Sequence, residues 1–213
     1  MRQGERITMA GRSRLRSEER KRQIVDVTLD SVAKCGVRGT TLTRIASEVG
    51  ITTPALYAHF ANRREILLET VELLFEKRTM PHRFPPAAEN ALERLRELGH
   101  RHTELVASDS DTSVFALFEF IAAPQEEGLR ETLGAKILGL VGELADLVRD
   151  GQAQGTIRKD ADPEQAAWMM VTRGWAEDIT HLLGVSESWC GTRSNQMLDL
   201  ILESIAVPSE NSD

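Results

Sequence analysis

The chain has 213 residues, of which 28% are charged, a net charge of −7 and two cysteines. That length suits one or two domains with a real core. Two cysteines exclude a disulfide scaffold, and Cys35 and Cys190 lack metal-ligand spacing, so reduced thiols are expected. No apolar run approaches the ~20 residues of a membrane span, and none follows the basic N-terminus as in a signal peptide. A cytoplasmic protein without a membrane partner is the expectation.

The net charge conceals an asymmetry. Residues 1–64 hold 13 Lys and Arg against 6 Asp and Glu, whereas residues 65–213 hold 13 against 27. A basic first third suits phosphate contact, and the acidic remainder would be repelled by it.

Strand signals are nearly absent, and apolar spacings of three and four recur from Ile24 to Ile205. The fold class is therefore all-α, with about nine helices. Residues 1–16 read as a flexible basic arm, whose Arg12, Arg14 and Arg16 could enter a minor groove. A first helix is expected from Ser17 to Cys35, stopped by Gly36. A second starts at Thr41 and turns Leu42, Ile45, Ala46 and Val49 inward. A third runs from about Thr53 to Phe60, with Pro54 in its first turn. A fourth extends from Asn62 to about Thr79.

Met80–Pro86 reads as a break, giving a first helical domain over 17–77 and a second over 84–207. Further helices are expected over about Ala87–Ala107, Asp111–Ala122 and Pro124–Gln154. Asp162 followed by Pro163 and Gln165 signals another helix start, and that helix stops at Gly184. The last helix covers about Trp189–Ala206.

The stretch from Thr41 to Phe60 carries the most information. Ala46 and Gly50 stand four apart, as a helix-turn-helix needs: a small side chain permits close approach, and glycine takes the left-handed conformation that ends the first helix. Thr52 could cap the next helix, whose N-terminal face would enter a major groove.

Ile24-Val-Asp, Gly36, Thr40-Thr41-Leu42, Ile45-Ala46, Gly50-Ile51, Ala55-Leu56-Tyr57, His59-Phe60, Asn62-Arg63 and Leu67 together resemble the TetR family of transcriptional repressors. The resemblance covers about the first third of the chain. Three positions depart from the family's habit: Val32 replaces a large aromatic, Pro54 a small residue, and Arg64 an acid. The resemblance implies a three-helix DNA-binding domain, a helical effector and dimerisation domain, and a homodimer on a palindromic operator, released by a small molecule. It implies no cofactor and no catalytic residue.

Candidate DNA contacts are Thr40, Thr41, Arg44, Thr52, Thr53, Pro54, Ala55, Tyr57, His59 and Arg63. Thr41 could offer a hydroxyl and an unpaired N–H to a phosphate, and Arg63 a cation. The resemblance puts Tyr57 and His59 on phosphates; the alternative for Tyr57 is packing between helices. The third helix exposes no Arg, Asn or Gln able to grip a base in two places. Thr methyls, Pro54 and Ala55 suit thymine methyls. Arg44 is the candidate guanine reader, with an ion pair to Glu48 as the alternative.

Trp168, Gly174, Leu182, Met197, Ile201 and Ile205 are candidates for the dimer interface, unless both helices are wholly internal. Phe115, Phe118, Glu119, Met170, Arg173 and Trp175 are candidates for an effector pocket, with plain core as the alternative. Glu119 would bind a cationic ligand or pair with Arg173. A competing class is a helical-bundle metal protein or enzyme using Glu97 and His100, whose spacing fits a helical carboxylate site. Such a site wants a second full motif, and Asp178-Ile-Thr-His181 is only a looser echo.

Overall fold

A computed structural model of the chain describes residues 3–83, 89–108 and 113–208. Among them are nine α-helices: α1 Gln3–Gly39, α2 Leu42–Val49, α3 Thr53–Leu56, α4 Arg63–Arg83, α5 Ala91–Ala107, α6 Ser113–Ile121, α7 Leu129–Gln154, α8 Pro163–Leu182 and α9 Thr192–Ile205. Two 3₁₀ turns, Gln125–Glu127 and Ser186–Ser188, and one isolated antiparallel bridge between Ile157 and Ala206 complete the described structure.

The expected helix ends hold where a cap specifies them. Asp162 accepts hydrogen bonds from the N–H of Glu164 (3.0 Å) and Gln165 (3.2 Å), and Pro163 is the first residue of α8. Asn62 accepts from Glu65 N–H at 2.9 Å, and the Glu65 carboxylate accepts in turn from Ala61 N–H. This reciprocal cap fixes the start of α4.

Elsewhere the structure corrects the sequence reading. The segment 1–16, expected as a flexible arm, is helical from Gln3; it contains no proline and many helix formers. Gly36 leaves helical geometry (φ 72°, ψ 169°), so α1 is interrupted at the expected stop. The third helix ends at Leu56 rather than Phe60. After it, Ala58 and His59 donate to carbonyls three residues back, tightening the chain over buried Leu56 and Phe60. Helix α4 passes Thr79 and Pro81 and ends at Arg83, because a proline near a helix end costs only one backbone bond. The rest of the expected break, Phe84–Pro86, lies outside the described residues. The helix expected from Pro124 divides at Gly128 (φ 68°).

The chain forms two compact units. The first comprises Met1–Phe75 and Phe115–Leu133; the second comprises Glu76–Val114 and Gly134–Asp213. The expected domain ending at residue 77 omitted 115–133. That segment joins the first unit because Ala116, Phe120, Leu129 and Leu133 are buried in one core with Ile24, Val32, Ile45, Leu56, Ile66 and Val71. The second core joins Ala91 and Leu95 to Val141, Val148, Ala167, Met170, Leu198 and Leu202. Each fully buried Leu or Ile is worth about 1.5–3 kcal/mol.

Candidate nucleic-acid interface

The first unit presents α2 and α3 as a helix-turn-helix. Thr41 stands extended at the N-cap of α2, and its Oγ1 accepts from Arg44 N–H at 3.2 Å. Gly50 ends α2 in the left-handed conformation (φ 77°), with Ile51 N–H bonded to Ala46 O at 2.9 Å. Ile45, Ala46 and Val49 are buried, while Thr41, Thr43, Arg44, Ser47 and Glu48 face outward. On α3 only Leu56 is buried. Thr52, Pro54 and Ala58 are exposed, and Thr53 and Ala55 are half-buried. Tyr57 is 56% exposed, so its ring is no core element. Thr52 occupies the N-cap position without a side-chain cap bond, so the helix makes no use of its hydroxyl. His59 is half-buried, and its Nδ1 has no partner among the described residues.

Other candidates stand differently from the expectation. Thr40 is wholly buried, and its hydroxyl donates to Gly36 O at 2.9 Å. Its side chain cannot reach a phosphate. Thr41 N–H is not free either, since it bonds to Gly39 O at 3.1 Å. Thr41 keeps its hydroxyl proton for an outside acceptor. Arg44 makes the alternative contact, 3.6 Å from Glu48, and its guanidinium also meets Cys35 Sγ at 3.1 Å. Arg63 is turned inward: Nε donates to Thr40 O at 2.7 Å, one terminal nitrogen to Val37 O, and the other to Glu127 at 2.6 Å. Backbone carbonyls and a carboxylate already occupy the expected phosphate cation.

The six effector-pocket candidates divide between the units. In the first, Glu119 is exposed and accepts from Val37 N–H at 3.2 Å. Phe118 is partly buried beside the core, and Phe115 is 43% exposed. In the second, Met170 is buried and Trp175 is exposed. Arg173 is buried and fully engaged, so the supposed pairing with Glu119 is replaced by a local one. It donates to Ser194 O (2.9 Å), Gly99 O (3.3 Å), Thr103 Oγ1 (2.6 Å) and Glu177 (3.1 Å).

The sequence reading missed the rest of this buried polar network. Glu177 accepts from Thr103 at 2.6 Å, from Ser194, and lies 2.7 Å from His102 Nδ1. Beside it Arg78 pairs with buried Asp178 and lies 3.2 Å from Ser113 Oγ. Burial alone would raise the Glu177 pKa, but hydrogen bonds from His102, Ser194 and Thr103 and the Arg173 charge hold it below the usual range. For Asp178 burial prevails over Arg78 and His102, and the carboxyl is raised. Burial also lowers Arg173, against the pull of Glu177. Two adjacent acids between Trp175 and Ile179 were the available sign, because acids amid apolar residues need partners.

Of the dimer candidates, Trp168 and Met197 are exposed and Leu182 is half-buried. Ile201 and Ile205 belong to the second core. Gly174 is buried, and a Cβ there would lie 3.2 Å from His102, so its small size serves packing within the unit. Trp168 and Trp175 meet edge to face at 6.1 Å. By helical spacing Ile179 and the C-cap residue Leu183 continue this exposed pair into an apolar stripe of α8, and Met197 and Leu200 of α9 are exposed as well. His100 Nδ1 lies 3.2 Å from Asn195, and no cluster of three His, Cys, Asp or Glu suited to a metal occurs among the described residues. No described helix is long and apolar enough to cross a membrane.

Residues 24–70 match the profile of bacterial regulatory proteins of the tetR family. The chain is 22% identical over 187 residues to the fatty acid metabolism regulator protein of Bacillus subtilis, covering 86% of this chain and 94% of that protein. It is 26% identical over 205 residues to the HTH-type transcriptional regulator TtgR of Pseudomonas putida, again with 86% and 94% covered. The fold resembles the crystal structure of AibR in complex with isovaleryl coenzyme A and operator DNA, with TM-score 0.60, 22% identity, and 89% and 100% coverage. The matched segment spans α2, α3 and the caps around them. Residues 24–70 thus carry the DNA-binding domain of the tetR family, and the chain as a whole is similar to transcriptional regulators of that family.

Proposed function

We propose that the chain is a homodimeric repressor that reads a palindromic operator and is released by a small molecule. The carrying observation is the outward face of α2 and α3. Thr41, Arg44, Thr52, Pro54 and Tyr57 stand exposed over the buried Ile45, Leu56 and Phe60. In this reading Thr41, Tyr57 and His59 meet phosphates, and Thr52, Thr53, Pro54 and Ala55 meet base edges or thymine methyls. Arg44 reads a guanine by exchanging Glu48 for a base. With so few bidentate readers, DNA shape carries part of the specificity.

The apolar stripe of α8 with Met197 and Leu200 supports the homodimer. Large apolar side chains exposed in one row invite a second copy, and a two-fold pair reads half-sites about one turn apart. The second unit is the proposed effector domain. Acyl-CoA thioesters are the class to try first, given the isovaleryl coenzyme A bound in the similar AibR structure and the fatty acid metabolism for which the Bacillus relative is named.

The test is selection of binding sites from random duplexes, then a shift assay with and without acyl-CoA thioesters. A palindrome bound by two protomers, and released by an acyl-CoA, is the expected result. Enrichment of no sequence, or binding by single protomers to an asymmetric site, overturns it.

A further inference from the structure

The cation at the start of α4 is occupied by internal partners, and those partners share one location. Val37 O and Thr40 O belong to the turn between Gly36 and Thr41, which sets down the N-cap of α2. Glu127 belongs to the 3₁₀ turn between α6 and α7, 64 residues away in sequence. Arg64, which stands where an acid is customary, donates its Nε to Glu127 O at 2.9 Å. Its guanidinium fills the space beside Gly128, which has φ +68° and no side chain to block it. From the opposite direction Glu119 of α6 accepts the Val37 N–H at 3.2 Å, and a Cβ on Gly36 would lie 2.5 Å from its Oε2. All of these groups lie in the first unit.

We infer that Arg63 and Glu127 are positioning residues for DNA binding, fixing the Gly36–Thr41 turn so that Thr41 and the start of α2 are correctly aimed. A guanidinium fork can serve two carbonyls and a carboxylate at once in a fixed plane; an ammonium cannot. Glu127 orients the fork, and its charge balances the buried side of Arg63. Through this clasp the 3₁₀ turn after α6 sets the geometry of a helix far from it in sequence. Arg63 therefore acts on DNA through Thr41 rather than as a phosphate contact.

The inference rests on the proposed DNA reading, and two measurements on the full-length protein keep the two apart. The first is affinity for a labelled duplex recovered by selection with the wild-type protein, measured across a salt series. Arg63→Lys and Glu127→Gln are each expected to weaken binding roughly three- to tenfold. The slope of log affinity against log salt should stay unchanged, because no phosphate contact is lost. If Arg63 were a phosphate contact, Arg63→Lys would bind almost like wild type and Glu127→Gln would bind more tightly. Arg63→Ala would then lower the slope by about 0.9 per protomer. That pattern overturns the inference. The second measurement is amide exchange over 37–44 without DNA. Faster exchange in Arg63→Lys supports the clasp even if no duplex is ever selected, and unchanged exchange overturns it even if DNA binds.

Discussion

Glu177 and Asp178 are neighbours in sequence, yet their surroundings push them in opposite directions. Glu177 collects three hydrogen-bond donors and a guanidinium, so its folded pKa falls below the unfolded value. Its contribution to stability is present above the unfolded carboxylate range near pH 4.5 and is lost as pH falls through the depressed value. Asp178 is raised, so its contribution has the other sign. It is greatest below the unfolded value near 3.8 and is lost as pH rises through the folded value. Glu177→Gln should cost about 3–5 kcal/mol, because it leaves Arg173 buried without its charge partner. Denaturant unfolding of the variant at neutral pH checks this. A cost below about 1 kcal/mol would mean that the Arg173 site admits water. A double change of Arg173→Met with Glu177→Leu is expected to recover part of the loss, since apolar packing often equals a buried ion pair.

At the scale of elements, two glycines with positive φ differ in ψ and in surroundings. Gly50 (φ 77°, ψ 34°) is left-handed helical and Gly36 (φ 72°, ψ 169°) lies in a region that only glycine frequents, so alanine is strained by about 1–3 kcal/mol at either position. Gly50 has open space where a Cβ would go, whereas a Cβ on Gly36 meets Glu119. Gly36→Ala should therefore be the more destabilising by thermal melting, and adding Glu119→Ala should narrow the gap. Equal effects would show that the carboxylate moves aside freely. These elements also mark what was legible in sequence. Thr41, Gly50, Asp162 and Pro163 act within one turn of their own position, so local chemistry sets both helix ends, and their places were readable. The membership of 115–133 in the first unit depends on Phe120 and Leu129 reaching a core formed by residues far earlier in the chain. Helical periodicity shows that a residue is buried, not against which helix. The inward turn of Arg63 was hidden for the same reason, because Glu127 is distant in the chain and the local motif suggested an exposed cation.

For the whole molecule, the exposed stripe on α8 and the uneven charge make separate demands. Trp168, Trp175, Ile179 and Leu183 would lose water contact in a dimer, so Trp175→Glu should shift sedimentation from dimer to monomer. Operator affinity should fall with it, since each half-site alone binds weakly. A Trp175→Glu protein that remains dimeric would place the interface elsewhere. Residues 1–64 carry a surplus of seven positive charges, so binding to any duplex should weaken steeply with salt despite the acidic whole.

The placement of the aromatic residues has a practical consequence. The chain has a single tyrosine, Tyr57, and it lies on the exposed end of α3 in the first unit. All three tryptophans, Trp168, Trp175 and Trp189, lie in the second. The two chromophores thus label the two units separately without any introduced probe. If the proposed function holds, indole emission would report on pairing of copies and on effector occupancy, while the ring resonances of the single tyrosine would report on the surface offered to the duplex. A titration followed at both signals can show which unit responds first.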